Sequence, residues 1–241
     1  MHTSRIIQRT ALFAMAAVIL ASLATSATLP KHARMHLHQL YEEPEHHSKR
    51  DAPTAASIVL AIAPNSKSCD NAPAAGECAT AEQAAPYLIA AFKKYEVYSY
   101  YEMAAILSLI AFESGDFKYN INHFPGRAGQ GTRNMQMPSF NLEYAREVQS
   151  DALSKVTAAT STDGLSDDQL NAIRALVLPD EFSFASAAWF LVRKCPNVRT
   201  TLQAQGEAGY GQYLSCIGTS ITADRMAYYN RALTAFGLPT A

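Results

Sequence analysis

One apolar segment decides the fold of this chain: residues 99–115, with the sequence SYYEMAAILSLIAFESG. Ser99 followed three residues later by Glu102 is the pattern of a capping box, which predicts that a helix begins here. We expect the helix to end at Gly115, because glycine is favoured just beyond helix C-termini. Since residues 103–112 are apolar on nearly every face, the helix is predicted to be central and buried.

Glu113 is an acidic residue at the end of this apolar helix. Helical spacing places it on one face with the apolar residues Ala105, Ile106, Leu109 and Ile110. The negative end of the helix dipole disfavours an anion by about 0.3–1 kcal/mol, and burial acts in the same direction, so we expect a raised pKa. A carboxyl that stays protonated can serve as a general acid. Alternatively, Glu113 turns outward or pairs with an arginine such as Arg127 or Arg133.

The segment after the helix, residues 116–137, contains one proline and three glycines among scattered polar residues. This composition predicts an irregular loop or short hairpin, which would form one wall of a cleft beside Glu113. Neutral donors and acceptors in such a wall can bind hydroxyl and acetamido groups. The candidate ligand contacts of this kind are Gln130, Thr132, Asn134 and Gln136, with Asn120 as a further candidate from the same segment. The alternative is a polar surface loop.

The rest of the chain predicts a mainly α domain over residues 81–241. Apolar periodicity favours further helices at about 82–95, 139–158, 168–177, 183–195, 198–216 and 222–236. Ser166 and Gln169 form a second capping-box pattern, and Gly237 is placed as a C-cap. Residues 51–80 are rich in Ala, Pro and Ser and are predicted to be a loosely ordered lead-in.

The cysteines predict disulfides. There are four, Cys69, Cys78, Cys195 and Cys216, and an even number is typical of proteins from an oxidising compartment. Three pairings are possible; Cys69–Cys78 and Cys195–Cys216 are favoured because each closes a local loop. A zinc site is the alternative, but His123 is the only histidine after residue 50, so no metal is expected.

The first fifty residues predict export and processing. Residues 1–27 combine basic Arg5 and Arg9, an apolar run and small residues at the exit, which is the pattern of a signal peptide. The apolar run is shorter than the ~20 residues that a membrane anchor needs. Residues 28–50 are His-rich and end in Lys49-Arg50, which indicates a propeptide with a dibasic processing site; a disordered tail is the alternative. The protein is therefore expected to be secreted, with no membrane partner after signal removal.

Charge argues against nucleic acid as a partner. Lys and Arg outnumber Asp and Glu in residues 1–50, so the remainder of this nearly neutral chain is net acidic. Binding to phosphate requires a basic surface. The same acidity opposes electrostatic attraction of an anionic polymer.

The residues after the central helix resemble a known family. Glu113-Ser114-Gly115 at a buried helix end, followed by Met135-Gln136 and then Pro138, is similar to the lysozyme-like superfamily, especially its soluble lytic transglycosylase and goose-type lysozyme branch. The match covers residues 103–140. Arg133-Asn134 stand where the family has Gly-Leu, and its later Ala-Tyr-Asn-Ala-Gly motif is not found. The helix around Trp189 resembles plant-type chitinases of that superfamily, and the region after residue 50 resembles an uncharacterised secreted fungal family.

The resemblance implies a lysozyme-like fold and a glycan-cleaving enzyme. Glu113 would be the catalytic acid, with Ser114, Met135 and Gln136 in the cleft and peptidoglycan or a chitin-type chain as the partner. Inverting glycosidases hold a second carboxylate ~6.5–9.5 Å from the acid. Residues 118–142 contain no Asp or Glu, which favours a one-acid mechanism of the lytic transglycosylase or muramidase type. Asp116 or His123 are the alternatives for a second group.

Aromatic residues add further candidates. Trp189 could stack on a sugar or belong to the core, and Tyr98, Tyr100 and Tyr101 could line the mouth of the cleft or pack. We therefore predict a monomeric glycosidase or transglycosylase without a cofactor. The alternative is a non-catalytic secreted glycan-binding or effector protein. A peptidase or esterase is not favoured, because no Gly-x-Ser-x-Gly motif occurs.

Overall fold

A computed structural model describes residues 52–204 and 206–240, and these residues confirm the mainly α prediction. The described residues contain isolated β-bridges, at Ile121, Gly131 and Gln136, and no strand. Short 3-10 helices span Pro64–Lys67 and Pro196–Val198. The α-helices are α1 (Ala55–Ile62), α2 (Ala81–Lys94), α3 (Tyr100–Glu113), α4 (Pro138–Val148), α5 (Ser150–Val156), α6 (Asp167–Ala175), α7 (Asp180–Ser183), α8 (Ser186–Lys194), α9 (Arg199–Ala204), α10 (Gly206–Cys216) and α11 (Ala223–Ala235).

Helix α3 is the centre of the fold, as its sequence predicts. Every residue from 104 to 111 is buried, and α3 contacts α1, α8, α9, α10 and α11. Full burial of a leucine, isoleucine or phenylalanine side chain contributes about 1.5–3 kcal/mol. This helix therefore supplies much of the apolar contact that holds the surrounding helices together.

The predicted capping box at the start of α3 is wrong. Ser99 occupies the N-cap position but its side chain makes no capping hydrogen bond. Glu102 is instead fully buried and accepts a 2.6 Å hydrogen bond from Nε of Arg199. Because the Glu102 carboxylate binds Arg199 of α9, it does not accept the hydrogen bond from the backbone of Ser99 that a capping box requires. The box predicted at Ser166 and Gln169 is present, and so is one between Thr80 and Gln83.

Residues 52–80, which composition assigns to a loosely ordered lead-in over 51–80, form ordered structure. Within them, α1 packs against α2, α3 and α11, with Val59 and Ile62 in the core. Asp116, buried after α3, accepts hydrogen bonds from the backbone of Asn65 and from the hydroxyl of Tyr228 in α11. Burial and this bond to Asp116 raise the pKa of Tyr228 to about 12. The compact unit therefore includes residues well before 81.

Both predicted disulfides are confirmed. Cys69–Cys78 closes the loop before α2, and Cys195–Cys216 joins the ends of α8 and α10. The predicted signal peptide, residues 1–27, and the predicted propeptide ending at Lys49-Arg50 lie outside the described residues.

The predicted helix 198–216 is interrupted. A Cβ at Gly209 would lie 2.5 Å from the Cα of Leu202, so only glycine allows α9 and α10 to approach this closely.

Among the described helices, none is both long enough and apolar enough to cross a membrane by itself; the bent pair Asp167–Ala175 and Asp180–Lys194 satisfies length and composition alone.

Candidate functional site

The loop after α3 and the end of α3 enclose a cavity of about 450 Å³, which we call the polar cleft. Five of the residues predicted to form a site line it: Glu113, Gln130, Asn134, Met135 and Gln136. The rest of its wall comes from Leu109 of α3, Phe190 of α8, the end of α10 with the residues that follow it (216–219), and Met137 and Phe140. A smaller cavity of about 180 Å³ shares Glu113, Gln130 and Met135 and is also lined by His123. The structure therefore brings these five residues together around one cavity.

Glu113 lies in the polar cleft beside a cation from α11. Its Oε1 is 2.8 Å from Nη1 of Arg225, with side chains 23% and 12% exposed respectively. The angle is not that of a hydrogen bond, since Nη1 has no hydrogen-bond partner among the described residues. The Arg225 guanidinium also stacks over the Phe112 ring at 4.3 Å. The surroundings of Glu113 are therefore not purely apolar: it pairs with an arginine, which is Arg225 rather than Arg127 or Arg133.

The amide side chains of the cleft mostly bind one another. Nε2 of Gln136 donates to Asn141, and the Asn134 amide donates to Oε1 of Gln136. Nε2 of Gln130 donates to the backbone carbonyl of Met135, and Oδ1 of Asn134 accepts from the hydroxyls of Thr132 and Ser186. These groups hold the loop in shape, so their role as ligand contacts stays a prediction.

The same loop contains strained backbone. Thr132 and Met135 have positive φ angles of 68° and 48°, a left-handed conformation that costs side-chain-bearing residues roughly 1–3 kcal/mol. Between them, Arg133 is almost completely buried and donates to the carbonyls of Phe117 and Tyr119. Burial lowers the pKa of Arg133, and the nearby Asp180 partly offsets this effect. The buried guanidinium fixes the loop against the end of α3.

Other predicted site residues lie away from the cleft. Ser114 is buried, donates to the carbonyl of Ile110 and accepts from the amide of Phe117. Trp189 belongs to the core and donates to Glu147. Asn120 and Thr132 are buried within the loop. The alternatives for a second catalytic group are both bound to other side chains. Asp116 accepts a hydrogen bond from the hydroxyl of Tyr228. Nε2 of His123 lies 2.7 Å from Oε1 of Glu77.

A second cavity, of about 470 Å³, lies between α1, α2, the N-terminal half of α3 and Phe236; we call it the apolar groove. The sequence does not predict it. Its walls are Ala55, Ile58, Val59, Ala85, Leu88, Ile89, Phe92, Lys93, Val97, Tyr98, Met103, Leu107 and Phe236. Ile89 and Tyr98 on its rim are 56% and 67% exposed. Their position in and after an otherwise amphipathic helix is the one sequence signal that could have indicated this groove.

Over the described residues, these features define a mainly helical, disulfide-bonded domain that contains the polar cleft and the apolar groove. No model of a known protein family matches the chain, and no solved structure matches it. The chain is 44% identical over 158 residues to a protein from Fusarium oxysporum (strain Fo5176) described as a bifunctional dioxygenase (DOX)-epoxy alcohol synthase (EAS). The match covers 65% of this chain but 12% of the relative, so the chain spans a small part of that protein's length.

This similarity corrects the functional prediction from the sequence. Membership of the lysozyme-like superfamily, glycosidase or lytic transglycosylase activity, and a peptidoglycan or chitin-type partner are wrong, because the relative is named for oxygenation chemistry. The non-catalytic glycan-binding alternative is wrong for the same reason. The relative is an enzyme, so the coarser expectation of a chain related to enzymes stands.

Proposed function

We propose that this chain binds the hydrocarbon chain of a fatty acid in the apolar groove and acts as a lipid-handling part of fatty-acid oxidation. The single observation that carries the proposal is the groove itself, an open cavity with almost entirely apolar walls. The relative of this chain is named as a dioxygenase and a synthase of epoxy alcohols. Epoxy alcohols are oxygenated organic molecules. A fatty acid is a suitable precursor for them, and its long apolar chain suits this groove.

The dimensions and exposure of the groove support a small-molecule ligand. Its volume of about 470 Å³ falls within the ~300–1,000 Å³ typical of ligand pockets, which are usually lined by apolar and aromatic side chains. Transfer of each CH₂ group from water into such a site contributes about 0.8 kcal/mol. An alkyl chain would also cover Ile89 and Tyr98, whose exposed apolar surface is otherwise unfavourable in water.

The described residues do not assign the oxidation step to this chain. Among residues 52–204 and 206–240, no group of three or more His, Cys, Asp or Glu side chains is placed to hold a metal ion. We therefore derive no catalytic step through a metal. The proposed role is to bind the lipid and present it, while the apolar walls exclude water from its chain.

A displacement titration with the fluorescent fatty acid cis-parinaric acid, competed by oleic acid, tests this function. The test variant is Ile89→Glu, which places a charge in the groove at a position exposed enough to keep the fold. We expect its affinity to fall at least tenfold, since about 1.4 kcal/mol corresponds to that factor. The matched control is Ile221→Glu, an exposed isoleucine outside the groove. Absence of saturable binding to the unchanged protein, or equal losses in both variants, would contradict the proposal.

A second candidate function is chemistry in the polar cleft. It is favoured by the Glu113 carboxylate, which makes no hydrogen bond to any described residue and borders the cavity. A positioned carboxylate of this kind can act as a general base. Incubation of the purified protein with a fatty-acid hydroperoxide or an epoxy alcohol, followed by mass spectrometry, tests it. Conversion that Glu113→Gln abolishes and Glu207→Gln retains supports the candidate; absence of conversion removes it.

We also propose that the protein is secreted. The disulfides Cys69–Cys78 and Cys195–Cys216 support this location, because such bonds persist in oxidising compartments. Expression in a secreting host and mass spectrometry of the medium test it. A mature N-terminus at Thr28 or Asp51 is the expected result, and retention of the whole chain inside the cell is the contrary one.

A further inference from the structure

One cation stands at the edge of the apolar groove. Of the described residues that line the groove, Lys93 alone carries a charge. It lies in the last turn of α2 and is exposed. Its ammonium group forms no salt bridge with any described acidic residue. The groove thus combines apolar walls with one positive group that has no acidic partner.

The neighbouring Lys94 has different surroundings from Lys93 and serves as a control for it. Lys94 lies in the same helical turn, but its ammonium sits over the Tyr95 ring at 5.3 Å and is not among the groove residues. Both lysines interact favourably with the negative end of the α2 dipole. Any property that depends on Lys93 and not on Lys94 therefore comes from the groove rather than from the helix end.

An anionic ligand would need this lysine. The C-terminal end of α2 carries partial negative charge, which repels a carboxylate placed near it. The Lys93 ammonium offsets that repulsion and can donate charge-assisted hydrogen bonds to the carboxylate oxygens. The four-carbon stem of lysine can lie along apolar surface while its charged end stays in water.

We propose that Lys93 makes the apolar groove selective for free fatty acids over their neutral esters and alcohols. This inference rests on the proposed function, because it assigns the head group of the same ligand. The alkyl chain occupies the walls from α1, α2 and α3, and the carboxylate stays at the rim beside Lys93. Because the pair is exposed to water, its contribution to affinity is modest.

The test compares binding of oleic acid, methyl oleate and oleyl alcohol to the full chain by displacement of 1-anilinonaphthalene-8-sulfonate and by calorimetry. The variants are Lys93→Met, Lys93→Gln and the matched control Lys94→Met. We expect oleate to bind the unchanged protein about fivefold more tightly than methyl oleate, the factor that an exposed ion pair of about 1 kcal/mol gives. Both Lys93 variants should lose this preference, and Lys94→Met should keep it.

The outcomes separate the two proposals. If none of the three lipids binds, the proposed function fails, and this inference fails with it. If all three bind and the preference for oleate is absent or survives in both Lys93 variants, lipid binding stands and the role of Lys93 is overturned. If Lys94→Met loses the preference as fully as Lys93→Met, the effect belongs to the helix end, and the inference is also overturned.

Discussion

The two ends of helix α3 each carry a glutamate paired with an arginine, and the two pairs differ in their surroundings. At the N-terminal end, Glu102 is fully buried and accepts hydrogen bonds from Nε and Nη2 of Arg199. At the C-terminal end, Glu113 is 23% exposed, borders the polar cleft and faces Arg225 without a well-formed hydrogen bond. The first pair thus has a fully buried carboxylate and a 24% exposed arginine, whereas the second has a partly exposed carboxylate that lines a cavity.

The two halves of α3 also border different cavities. Met103 and Leu107 face the apolar groove, while Leu109 and Glu113 face the polar cleft. One buried helix therefore serves as a common wall for two sites of opposite character. The acid most conspicuous in the sequence, Glu113, therefore need not mark the site where the principal ligand binds.

The largest effect is expected at the buried pair. Arg199→Met leaves the Glu102 carboxylate buried without a cation, which typically costs about 3–5 kcal/mol. Urea denaturation measures this as a fall in the free energy of unfolding. The control is Arg193→Met, whose partner Glu147 is at the surface and whose loss should be about 0.5 kcal/mol. Similar losses in the two variants would show that burial of the Glu102 carboxylate does not raise the cost of losing its cation.

A smaller loss is expected in the loop that walls the polar cleft. Asn141→Leu removes the amide that donates to the carbonyl of Gly129 and accepts from Gln136. Leaving these buried groups unpaired should cost about 2 kcal/mol. Thermal unfolding followed by circular dichroism measures it, with exposed Asn197→Leu as the control. An unchanged melting temperature would mean that the amides do not hold the loop.

The partly buried Glu113–Arg225 pair should contribute less still, because its carboxylate, unlike that of Glu102, reaches water. Arg225→Met is expected to lower stability by about 1 kcal/mol, because water can solvate Glu113 once its partner is gone. The same denaturation experiment used for Arg199→Met measures the difference between the ends of α3. A loss as large as that of Arg199→Met would show that the two glutamate–arginine pairs contribute equally to stability.

The smallest expected effect concerns pH. Burial raises the pKa of Glu147, yet the hydrogen bonds from Arg193 and Trp189 outweigh burial and leave that pKa below its ordinary value. A lowered pKa in the folded state adds stability above the unfolded value, near pH 4.3, and this stability is lost as pH falls through the folded value. Glu147→Gln should therefore flatten the pH dependence of unfolding below about pH 5, where the unfolded carboxyl begins to take up its proton before the folded one does. An unaltered profile would contradict this assignment.

Local features of the fold could be predicted from sequence. The apolar run of α3, the capping box at Ser166 and the loop after Glu113 depend on neighbouring residues, and all are observed. The pairings Glu102–Arg199 and Glu113–Arg225 could not be predicted, because each joins residues about a hundred positions apart and depends on how the helices pack. Tertiary packing therefore overrode the capping box expected at Ser99.

The apolar groove was missed for a similar reason. Its walls come from α1, α2, α3 and Phe236, and each apolar residue on its own is indistinguishable from a core residue. The lysozyme-like resemblance was wrong because Glu113-Ser114 and Met135-Gln136 are short combinations of common residues. These residues line a cavity, but their presence does not define the reaction or the ligand of that cavity.

The central claim is that lipid binds in the apolar groove and not in the polar cleft. Nuclear magnetic resonance shift mapping during titration with oleate tests it most directly, using methyl signals of Ile58, Ile89, Met103 and Leu107 for the groove and of Leu109, Met135 and Ile217 for the cleft. Our account predicts saturable shifts in the first group and little change in the second. Shifts confined to the cleft, or none in either group, would contradict it.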